Sequence, residues 1–104
     1  MATKKENTYM LTVTDVNTAD VSKGYMLAES LPKLRLKIMK SYYDDDVDID
    51  IVRVSGKKKE YVGEMRVSAP DFGKRTPTLI WASPASKGWS HIDPQTGKLG
   101  KKRE

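Results

Sequence analysis

The densest set of potential ligands in the chain is Asp44, Asp45, Asp46, Asp48 and Asp50. On a strand, alternate residues face the same side about 6.8 Å apart. Asp46, Asp48 and Asp50 would then form a carboxylate row able to touch a hard cation such as Mg²⁺ or Ca²⁺, the requirement of a metal-dependent phosphodiesterase. At that spacing three-point chelation of one ion needs a bend, and the glycine and distal glutamate of a calcium loop are missing. A solvated outer face, partly neutralised by Arg66, assumes less, so no metal site is assigned.

His91 is the only histidine, which excludes a His–His metal site and a histidine relay. It lies two residues from Asp93, and a strand histidine beside a turn aspartate reads as surface decoration. The absence of cysteine removes disulfides, thiolate metal sites and cysteine nucleophiles together. Asp71-Phe72-Gly73 spells the metal-binding tripeptide of protein kinases. No glycine-rich phosphate loop or catalytic loop accompanies it, and the match reads as chance. No nucleophile elbow occurs either. No catalytic residue and no cofactor is assigned, and the chain reads as a binding module rather than an enzyme.

The remaining constellation is basic and aromatic. The net charge is +5, and residues 51 to 104 hold 12 Lys+Arg against 5 Asp+Glu, a net of +7, while residues 1 to 50 hold 7 against 9. Lys57, Lys58, Lys59, Lys74, Arg75, Lys87, Lys98, Lys101, Lys102 and Arg103 could neutralise phosphates, and Trp89, between Gly88 and Ser90, could stack on a base. This mixture makes nucleic acid the leading partner. Trp81 sits in an apolar run and reads as core, and lysine-rich tips and tails also serve solubility.

These residues need elements to hold them. Tyr9-Met10-Leu11-Thr12-Val13-Thr14 alternates as a strand with Tyr9, Leu11 and Val13 on its core face, and Gly24 to Glu29 returns as a second strand after a polar loop over 15–22. Leu31, Leu34, Ile38 and Tyr42 form one helical stripe, with Lys33, Arg35, Lys37 and Lys40 off it; Ser30 is the N-cap, Pro32 falls in the first turn, and the helix stops near Tyr43. The segments 46–54 and 60–67 flank a five-residue connection, Ser55 to Lys59. Pairing them so that residue numbers sum to 114 sets Ile51 against Gly63, Ile49 against Met65 and Val47 against Val67. Asp48 then meets Arg66, and Val52 meets Val62, on the other side. Thr78 to Ala82 is a short buried strand, Trp89 to Ile92 a last one, and Asp93 to Gly97 a turn.

The expected fold is α+β: an antiparallel sheet of five or six strands in the order ββαββββ, with one helix packed on one face. Residues 1–6 read as a flexible N-terminus, 7–97 as a single domain and 98–104 as a disordered basic tail. No apolar run approaches the roughly 18 residues of a membrane span, no signal-peptide pattern is present, and the expected location is cytoplasmic. The leading function is a small basic nucleic-acid-binding accessory module. The rival is a protein-binding accessory or inhibitor factor acting through an exposed sheet edge or the acidic strand.

Overall fold

The computed structural model describes residues 6–70, 76–84 and 88–100. Alternating side chains build β1 (Asn7–Asp15), which puts Tyr9, Leu11 and Val13 into the core as its pattern requires. A turn capped by the Asp15 carboxylate, which accepts the backbone N–H groups of Asn17 and Thr18, leads into β2 (Val21–Ala28). β2 therefore starts three residues before the expected position. Ser22 and Lys23 near its start are polar because they sit on an exposed edge, not because the chain is a loop.

The helix α1 (Leu31–Ser41) begins where Ser30 accepts the Lys33 N–H at its side chain and the Leu34 N–H at its carbonyl, and Pro32 occupies the first turn. It buries Leu34 and Ile38 against the sheet, with Leu31 and Tyr42 partly buried beside them. Arg35 corrects the expected stripe. It is only 4% exposed, enclosed between the helix, Trp81 and the turn at Gly97.

The hairpin of β3 (Val47–Ser55) and β4 (Lys58–Ser68) has the expected register from Val47↔Val67 to Ile51↔Gly63. Two details differ. A bulge after Ile51 shifts the pairing so that Val52 faces Tyr61, not Val62, and the connection is the pair Gly56-Lys57, with Lys58 and Lys59 already in the ladder. A positive φ at Gly56 and none at Lys57 is the sign pattern of a type II′ turn, whose twist suits a two-residue hairpin. The sequence hid both because Val52 and Val62 fit either register, and a lysine run resembles a loop.

β5 (Thr78–Ala82) and β6 (Ser90–His91) complete a six-stranded antiparallel sheet in the order β2-β1-β3-β4-β5-β6. The chain then turns at Asp93 to Gly97 and comes back beside β6, with Leu99 bridging Ile92 and the Gly100 N–H donating to the His91 carbonyl. Residues 98–100 thus run back along β6. One core holds the assembly, with Leu34 and Ile38 facing Ile49, Ile51, Met65, Val67 and Trp81. Among the described residues, no helix is long and apolar enough to cross a membrane.

Candidate interaction surface

With α1 on one face, no helix or further strand among the described residues covers the other, open face, and the strand registers order its side chains into four rows. Leu27, Thr8, Val54 and Lys59 form the row nearest the β3–β4 tip, followed by Tyr25, Met10, Val52 and Tyr61. Next comes Lys23, Thr12, Asp50, Glu64 and Ala82. The last row is Val21, Thr14, Asp48, Arg66, Ile80 and His91. The face is apolar and aromatic toward the tip, acidic in the middle and basic at Arg66.

The expected aspartate row does not act as a unit. Asp46 accepts the Ala69 N–H at 2.7 Å and an Asn17 amide N–H at 3.3 Å; Asp48 accepts from Arg66 Nε at 2.5 Å and Nη2 at 3.3 Å; Asp50 accepts from the Tyr61 hydroxyl at 3.4 Å. Among the described residues no group of three or more His, Cys, Asp or Glu side chains converges for a metal ion. Glu64 lies directly opposite Asp50. Burial first, then repulsion from Asp50 and Asp48, raises the Glu64 carboxyl pKa. The Tyr61 hydroxyl is also pushed up, by burial, by the charges of Asp50 and Glu64 and by its bond to Asp50. The Asp48 hydrogen bond is the leading cause that raises Arg66.

The basic constellation is divided. Lys57, Lys58 and Lys59 are exposed at the β3–β4 tip, and none forms an ion pair among the described residues. Trp89, 38% exposed, lies with the Arg66 guanidinium over its ring at 4.9 Å, near the far end of β4. Lys59 and Arg66 are seven residues apart on that strand, about 23 Å at roughly 3.3 Å per residue. Between them on the open face stand Asp50 and Glu64, so one polyanion touching both Lys59 and Trp89 would cross a pair of carboxylates. Lys98 is exposed on the turn after β6, where its N–H donates to Thr96 Oγ1. Lys74, Arg75, Lys87, Lys101, Lys102 and Arg103 lie outside the described residues, as does the Asp71-Phe72-Gly73 tripeptide. His91 is exposed, and the Asp93 carboxylate accepts the Gln95 N–H, capping its own turn.

The feature missed in the sequence is the outer strand β2. Val21, Tyr25 and Leu27 are 60%, 68% and 49% exposed on the open face. In an antiparallel strand the N–H and C=O of one residue point the same way and successive residues alternate. The Leu27 carbonyl accepts Lys37 Nζ and so points away from β1, whereas the Asp20 carbonyl accepts the Asp15 N–H of β1. The backbone groups of Val21, Lys23 and Tyr25 therefore open outward, beyond the last strand of the sheet. The available signal was Tyr25-Met26-Leu27-Ala28, apolar at both parities, which is more than a half-buried strand needs.

No protein-family model, no curated protein and no solved structure matches this chain.

Proposed function

We propose that the protein is a non-enzymatic binding module that receives an extended segment of a partner protein along the outer edge of β2. The observation that carries this reading is the coincidence, on one edge strand, of outward backbone groups with the exposed side chains of Val21, Tyr25 and Leu27. Strand addition uses these two features together: main-chain hydrogen bonds supply affinity, and alternate side chains supply selectivity. A groove beside the edge, lined by Glu6, Met26, Leu27, Lys37, Lys40 and Ser41, sets two lysines against the one carboxylate of Glu6, which pairs with Lys37, and so favours a segment with a carboxylate next to its apolar residues.

A second reading rests on Lys57, Lys58 and Lys59, exposed and without an ion pair among the described residues, which suit a phosphate backbone at the β3–β4 tip. One experiment separates the two. Wild-type, Tyr25→Lys and Lys57/Lys58/Lys59→Ala proteins are used as baits in a native lysate, with bound protein and nucleic acid both identified. The first reading expects a defined protein retained by wild type and by the triple variant but lost with Tyr25→Lys. Nucleic acid lost only with the triple variant would overturn it in favour of the tip.

A further inference from the structure

We infer that the segment received by β2 is β2 of a second copy of this chain, paired antiparallel about Gly24, an inference that rests on the strand-addition reading above. Because the outward backbone groups belong to odd-numbered residues of β2, a symmetric pairing must set odd against odd, which restricts its centre to whole residues. Centred on Lys23, the pairing sets two ammonium groups face to face. Centred on Tyr25, it sets Lys23 against Leu27 and Val21 against Glu29, and centred on Ser22 or Met26 it overlaps only residues 21–23 or 24–28 of each β2. Centred on Gly24, it sets Lys23 against Tyr25 and Val21 against Leu27, twice each by symmetry, a cation on an aromatic ring and an apolar pair.

The flanks agree with that centre. Lys37 Nζ sits at the Leu27 carbonyl, and in the Gly24-centred pairing the next residue, Ala28, faces Asp20 of the second copy. Asp20 is exposed and forms no ion pair among the described residues, so across the junction its carboxylate joins that of Glu6, which already lies 3.7 Å from Lys37 Nζ. The partner chemistry inferred for the groove, apolar residues with a neighbouring carboxylate, is thus present in β2 and the residue that precedes it. Gly24 introduces no obstruction, since a Cβ there would have no atom within 4 Å. The product is one continuous sheet across the twofold axis, with the edge strand of each copy covered.

The ladder is short, so association belongs at the weak end, with Kd on the order of micromolar. Each copy carries a net charge of +5, and screening that repulsion makes added salt tighten the dimer, the opposite of its effect on phosphate binding.

Sedimentation of the purified full chain over a concentration series tests the proposal. The expected result is a reversible monomer–dimer equilibrium that Tyr25→Lys weakens by about tenfold or more, because the introduced ammonium then faces Lys23 of the other copy. The charge-swapped double variant Lys23→Glu/Tyr25→Lys should return the affinity to within about threefold of wild type. Register has its own readout. Gly24 is a non-hydrogen-bonded position of the junction, with Cα atoms about 4.5 Å apart, inside the range a disulfide spans. In a chain without cysteine, Gly24→Cys should form an intermolecular disulfide on air oxidation while Lys23→Cys and Tyr25→Cys do not. A monomer up to about 1 mM with no Gly24→Cys cross-link overturns the inference. If Tyr25-dependent capture from lysate persists in that case, the strand-addition reading stands with a different partner; if it is absent as well, both fall.

Discussion

The guanidinium carbon of Arg35 lies 4.2 Å from the centroid of the Trp81 ring, and Nη1 donates to the Gly97 carbonyl at 2.9 Å. One side chain of α1 thereby ties β5 to the turn after β6. Nε is buried without a partner, and desolvation pulls the pKa down to about 10, which leaves a cation at neutral pH. Arg35→Ala leaves a cavity and an unpaired carbonyl and should cost about 2 to 4 kcal/mol in urea unfolding. Arg35→Met keeps the stem while relieving a buried charge, so its cost should stay below about 1.5 kcal/mol. A folded-state pKa below the unfolded one means stability is gained only as pH rises through about 10. From about pH 6 to pH 9 the difference between wild type and Arg35→Met should be constant with respect to this group.

Glu64 and Asp50 stand opposite each other on the open face. The raised Glu64 pKa means that the folded state holds that proton more tightly than the unfolded chain does. Its contribution to stability is therefore full below the ordinary carboxylate range and is lost as pH rises through the raised value. Glu64→Gln should stabilise by about 0.2 to 1 kcal/mol at pH 7, the scale of a like-charge cross-strand pair. At about pH 3 the gain should vanish, because the Glu64 carboxyl, its pKa raised above the ordinary range, is then protonated. Paired urea melts at the two pH values measure this, and an equal gain at both would assign the effect to packing.

Gly63 is buried where Trp81 crosses β4. A Cβ there would lie 2.5 Å from Trp81 Cζ2 and 2.7 Å from the Ala82 carbonyl oxygen, so either the ring or the neighbouring backbone would have to move. Gly63→Ala should destabilise by about 1 to 3 kcal/mol, as overpacking does, and should perturb tryptophan fluorescence. Gly24→Ala, in open space with no positive φ, should stay within about 0.5 kcal/mol of wild type.

At the β3–β4 tip, any affinity for single-stranded or duplex nucleic acid should fall when Lys57, Lys58 and Lys59 become alanine. The salt dependence of log affinity should flatten by up to about 0.7 to 0.9 for each phosphate that is no longer neutralised. Trp89→Ala should leave that slope unchanged, since its ring is packed under Arg66 and separated from the tip by Asp50 and Glu64. Fluorescence anisotropy with a labelled oligonucleotide at two salt concentrations provides the measurement. A large drop in affinity with Trp89→Ala would show that one ligand does span both ends.

Where burial follows alternation, the fold was legible. Tyr9, Leu11 and Val13, and the Ile49↔Met65 pairing, follow from period-two patterning, because a one-residue slip would bury charges. The helix was readable from Ser30, Pro32 and the Leu34–Ile38 spacing. Arg35 was not: a cation beside an apolar stripe is normally outward, and only the distant Trp81 ring and Gly97 carbonyl make an interior position tolerable. The basic residues were legible as a charge total but not as a surface, since their distribution depends on how far β4 carries Arg66 and Trp89 from Lys59. The edge position of β2 was hidden too, because strand order is a property of the whole sheet and not of residues 21–28.

The bond from Arg35 to Gly97 joins residues 62 positions apart. At the about 5 to 20 residues per second of synthesis, Gly97 is made about 3 to 12 seconds after Arg35. Over most of that interval Trp81, 46 residues after Arg35, is not yet made, and the Gly97 carbonyl is missing throughout, so the guanidinium keeps part of its hydration and the helix does not settle fully on the sheet. Closure of this fold therefore waits for residue 97, and a nascent chain arrested before it should be open to protease along α1 even with its first hairpin already formed.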